Sequence, residues 1–113
     1  MARIKPTPTR IKAQKMLAKA KERSIKKGLE FSLSLDWLIN KIDIGFCELT
    51  KLPFTLDKAS TLHNPFGPSL DRIDNSKGYT KDNIRLVLWC VNRSLGEDGL
   101  KTMKPVFKIL AEL

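Results

Sequence analysis

The chain has 113 residues, 42% of them hydrophobic, and a formal net charge of +9. This length fits one small domain with its own core. No apolar run nears the roughly 20 residues of a membrane span, and no apolar stretch follows the basic N-terminus as a secretory signal requires, so a cytoplasmic protein without membrane contact is expected.

The charge is unevenly placed. Residues 1–28 hold ten Lys/Arg and one acid, Glu22, whereas residues 29–113 hold eleven of each sign. The excess is therefore a basic arm on a neutral body, which suits contact with a phosphate backbone. The plainer alternative is a solvated helix face. Arg10, Lys12, Lys15, Lys19, Arg23, Lys26 and Lys27 are the arm residues expected on DNA. The two cysteines, Cys47 and Cys90, are too few for a disulfide framework or a four-thiolate zinc site.

In chain order, Pro6 and Pro8 rule out regular helix at the start. Thr9 is the expected N-cap of a Lys/Ala-rich helix over 10–27, lightly docked through Ala13, Met16, Leu17 and Ala20 and closed by Gly28. Residues 29–33 alternate and predict a short extended segment. Ser34 should cap a helix over 35–44 with Asp36 in its first turn, an apolar face from Trp37 to Ile44, and Gly45 as its stop. Residues 46–54 predict an irregular strand or turn broken by Pro53. Residues 55–68 read as loop and carry the sole histidine, His63.

Residues 69–92, SLDRIDNSKGYTKDNIRLVLWCVN, predict strand, turn, strand and helix start. The first strand is expected over 69–74, the turn at Asn75–Gly78, the second strand over 84–89, and a helix that begins near 88–91 and stops around Gly96 or Gly99. Thr102 should cap a last helix over 103–112, with Pro105 in its first turn and Val106, Phe107, Ile109 and Leu110 buried. Asp71, Asn83 and Asn92 then bring oxygen-bearing side chains to facing elements, as a compact site for a hard cation requires. Singly, Asp71 reads as well as an ion pair with Arg72 or Arg85, Asn83 as turn chemistry and Asn92 as a helix hydrogen-bonder.

The stretch resembles the HNH endonucleases, the ββα-metal (His-Me finger) nucleases, and most of all small phage-type members with an LDRID-x-x-x-GY segment. The resemblance covers about residues 31–92. It implies an α+β fold: a small ββα-metal core flanked by helices, over 29–113, with the basic helix of 1–28 ahead of it. It implies DNA as partner, one Mg²⁺ or Mn²⁺, and a host-cytoplasmic setting for a phage-encoded member. Asp71 matches the metal-binding Asp, Asn83 the Asn that fixes the loop, and Asn92 the helix residue that completes the metal site. Thr50, Leu88 and Val91 stand where zinc-stapled members have cysteines, so no structural zinc is expected, and packing by Phe46, Phe54, Leu88 and Val91 should replace it.

Arg72 stands where the family has its general-base His. A guanidinium cannot accept a proton at useful pH, but it can clamp a phosphate. Three accounts follow. His63 or Asp74 takes the base role. Or the cation alone activates water. Or catalysis is lost and the fold is a DNA-binding or regulatory module. Lys77, Lys81 and Arg85 would add DNA contacts near the turn. A further alternative is a protein-interaction factor that places its basic arm on an acidic partner.

Overall fold

The structure is a computed structural model that describes residues 6–57 and 64–113. In chain order the elements are α1 (Pro8–Lys27), α2 (Leu35–Ile44), β1 (Pro68–Arg72), β2 (Ile84–Leu88), α3 (Trp89–Leu95) and α4 (Gly99–Ala111). The architecture is α+β. An antiparallel β1–β2 hairpin leads directly into α3, and the other helices flank this ββα unit.

Helix α1 starts earlier than expected. Thr7, not Thr9, is the N-cap: its Oγ1 accepts from Arg10 N at 3.1 Å. Pro8 occupies the first helical position, where its fixed φ suits the helix and its missing N–H leaves no bond unmade. Gly28 closes α1 at φ 65°. Ala13 and Ala20 lie two turns apart and are almost wholly buried. Their small side chains let α1 pack closely on a core that includes Leu33, Leu38, Ile42, Tyr79, Ile84 and Leu86.

The expected caps of α2 are observed. Ser34 Oγ accepts from Trp37 N at 3.2 Å, and Gly45 ends the helix at φ 91°. The extended segment before α2 runs parallel to the chain at Tyr79. Tyr79 N donates to Glu30 O at 2.8 Å, and Ser32 N donates to Tyr79 O at 3.0 Å. Gly78 makes this approach possible, since a Cβ there would lie 2.1 Å from Glu30 O.

β1 ends at Arg72, two residues short of the sequence expectation, because Ile73–Gly78 already form the turn. In the hairpin register Ser69 faces Val87, Asp71 faces Arg85, and Arg72 faces Ile84. A second apolar cluster is formed by Cys47, Val87 and Leu88, with Leu49, Phe54, Cys90 and Val91 against it. Phe46, expected in that cluster, is 53% exposed. It sits in an extended bridge to Pro53, where neighbouring side chains point to opposite sides, and the inward place belongs to Cys47. Glu48 covers the edge of β2: its N–H donates to Leu86 O at 2.8 Å, and its carboxylate accepts from Leu86 N.

The last helix also departs from expectation. It begins at Gly99, after Asp98, so Thr102 lies within it and Pro105 in its interior. Val106, Ile109 and Leu110 are exposed, and of the four residues expected to be buried only Phe107 is half-buried. No helix among the described residues is long and apolar enough to cross a membrane.

Candidate active site

The site lies where β1 meets α3. Ser69 and Asp71 share one face of β1 by the two-residue alternation of a strand. Asn92 sits one turn into α3 and binds this strand directly. Its Nδ2 donates to Ser69 Oγ at 2.8 Å and to Leu70 O at 3.0 Å. The Asn92 amide is thus held against the peptide that joins Leu70 to Asp71. Among the described residues, no donor meets Asn92 Oδ1.

Asp71 is 6% exposed, and Arg85 Nε donates to its Oδ2 at 2.6 Å. Its Oδ1 receives no hydrogen bond from the described residues yet is not sealed from solvent. Asp71 therefore does form the ion pair with Arg85, and it keeps one open oxygen as well. Two acceptor oxygens, one of them a carboxylate, suit Mg²⁺ or Mn²⁺, hard ions that keep several waters and take further ligands from substrate phosphate. Among the described residues there is no group of three or more His, Cys, Asp or Glu placed for a metal.

Asn83 fixes the turn between the strands. Its Oδ1 accepts from Asp74 N at 2.9 Å, and its Nδ2 donates to Asp74 O at 3.0 Å and Gly78 O at 2.9 Å. Asp74 lies outside β1 and caps the turn. Its Oδ1 accepts from Ser76 N and Ser76 Oγ at 2.9 and 2.6 Å. These bonds, the Ser76 hydroxyl first, hold its carboxyl below the usual range and make it a weaker base.

Arg72 projects from the face of β1 opposite Asp71. One guanidinium nitrogen donates to Asn75 O at 2.8 Å and Lys77 O at 3.2 Å, and the group lies 5.4 Å over the Tyr79 ring. It braces the turn. Lys77 and Lys81 are exposed around that turn. His63 lies outside the described residues.

On α1, Lys12, Lys19 and Arg23 line a cavity of about 340 Å³ whose other wall includes Asn92, Trp89 and Arg93. Arg10, Lys15 and Lys27 are exposed and do not line it, and Lys26 pairs with Glu22 at 3.5 Å. Sequence reading did not single out Arg93 or Trp89. The available signal was their spacing of four on α3, which stacks the guanidinium 5.2 Å over the indole.

The hairpin-plus-helix with Asp71 on its strand and Asn92 on its helix is an HNH-like ββα fold. A solved structure of the rare-cutting HNH restriction endonuclease PacI, whose description concerns a mechanism of DNA perturbation, matches this chain with a TM-score of 0.64. The match covers 89% of this chain and 78% of that one at 14% identity, so the likeness is one of fold. No protein-family model and no curated protein matches the sequence.

Proposed function

We propose that the protein is a metal-dependent DNA endonuclease that hydrolyses phosphodiester bonds in duplex or branched DNA. The observation that supports this most is the pair of open oxygens, Asp71 Oδ1 and Asn92 Oδ1, on elements joined by the Asn92–Leu70 hydrogen bond. One Mg²⁺ or Mn²⁺ held by these two residues would stabilise charge on the scissile phosphate and the leaving 3′-oxygen.

The chain's own groups have distinct tasks in this reading. Arg85 balances Asp71 before substrate arrives and limits the affinity of the free protein for a cation. Ser69 orients Asn92. Asn83 and Arg72 keep the turn rigid, and Arg72 has further N–H groups for a phosphate. Water is deprotonated by a group other than Arg72. A histidine such as His63 suits that task by residue type, while the Ser76 hydrogen bonds hold the Asp74 carboxyl below its ordinary range. Lys77, Lys81 and the basic face of α1 anchor the DNA backbone.

A second reading is a DNA-binding module without turnover. The observation that favours it is the Asp71–Arg85 ion pair, which already satisfies one carboxylate oxygen at 2.6 Å.

Supercoiled plasmid incubated with Mg²⁺, Mn²⁺ or EDTA separates the two. The nuclease reading expects nicking in either metal and none in EDTA, with nicking abolished in Asp71→Ala while gel-shift affinity stays close to the parent. Because Asp71 also balances Arg85, a thermal melt of the variant must show that it is folded. Equal nicking by parent and a folded variant removes Asp71 from the mechanism.

A further inference from the structure

The cavity between α1 and α3 has an unusual charge balance. Lys12, Lys19 and Arg23 follow spacings of seven and four, so they form one stripe on α1. Arg93 approaches from α3, held over Trp89 at 5.2 Å. Four cations therefore line a space of about 340 Å³, and no acidic side chain lines it. Asn92, a candidate metal ligand, lies in the same wall.

We propose that this cleft binds the phosphodiester backbone of a single DNA strand and sets that strand's position beside Asn92. This rests on the nuclease reading and deepens it. The ten cations of residues 1–28 are then not equivalent. Lys12, Lys19 and Arg23 are strand-positioning residues with Arg93, while Lys21 on the far flank of α1 is not.

Crowding among these cations fits an anion site. Burial first, then the charges of Lys19 and Lys15, hold the Lys12 ammonium below its ordinary pKa. A phosphate between α1 and α3 would relieve that repulsion. The volume lies at the small end of ligand sites, and it suits a nucleotide-sized segment of one strand. The indole of Trp89 in the wall suits a sugar or base edge next to the phosphate.

The test measures binding of a short fluorescent DNA duplex and of its single strand, in EDTA, as a function of salt. The full-length variant Lys12→Gln/Lys19→Gln/Arg93→Gln is compared with Lys21→Gln/Lys104→Gln/Lys108→Gln, which removes the same charge elsewhere. The cleft variant should lower the log–log salt slope by about 0.9 for each phosphate it no longer neutralises on duplex, or about 0.7 on the single strand. The control variant should leave the slope near the parent's. Thermal melts establish that both are folded. An equal drop in the two variants, or no drop in either while binding persists, overturns the cleft and leaves the nuclease reading standing. A parent that binds neither DNA overturns both.

Discussion

The amide of Asn83 joins both ends of the hairpin turn, with one bond accepted from Asp74 N–H and two donated to the carbonyls of Asp74 and Gly78. The residue is buried, so water cannot replace these bonds. Asn83→Ala should cost roughly 3 kcal/mol, the penalty for leaving more than one buried polar group unmet. Asn83→Asp should be worse near neutral pH, because a carboxylate would face two carbonyl oxygens. Urea denaturation of the two variants checks both the loss and its order. Asp74 supports the same turn through its charge. Its folded carboxyl is more acidic than the unfolded one because Ser76 donates to it twice, so the stabilisation is complete above the unfolded value and fades as pH falls through the folded one. A pH series of melting temperatures should therefore fall less steeply on the acid side for Asp74→Ala than for the parent.

At the scale of elements, α4 carries the clearest local conflict. Pro105 removes a helix hydrogen bond and crowds the preceding turn, at a typical cost of about 3 kcal/mol in a helix interior. The helix buries no residue fully, so little packing offsets that loss. Pro105→Ala should raise helical circular dichroism and slow amide exchange across 99–111, with little change in β1 or β2. Unchanged exchange would show that packing, not the proline, sets the stability of α4. Caps are readable where the side-chain chemistry is local: Ser34, Gly28 and Gly45 all do what their residue types predict. The starts of α1 and α4 fall outside the expected bounds because a proline at an N-terminus and a proline in an interior look alike in sequence. The difference is whether the chain has already turned into the helix upstream.

For the molecule as a whole, α1 is part of the core as well as a carrier of charge. Ala13 and Ala20 pack with residues from α2 and β2 in one cluster, and Met16 and Leu17 lie against it. Removing residues 1–28 should therefore destabilise the rest by about 3 kcal/mol or more, from the apolar surface left uncovered. The melting temperature should drop along with DNA affinity. A truncated chain that melts like the parent would mark α1 as a detachable arm. A salt-slope measurement on the truncated chain is interpretable only after that melt.

The sequence by itself determined the local pieces: the hairpin turn, the strand-to-helix junction, and the identities of Asp71, Asn83 and Asn92 at their spacings. These are set by turn chemistry, two-residue alternation and helix caps, which act over a few neighbours. Tertiary structure alone decided that Asp71 takes Arg85 as its partner across the hairpin, and that Arg72 turns away to brace the turn. It also decided that α1 and α3 border one cavity, with Lys12, Lys19, Arg23 and Arg93 in its lining. Those choices depend on side chains far apart in sequence competing for the same partners and the same buried space, and no periodicity along the chain records the outcome.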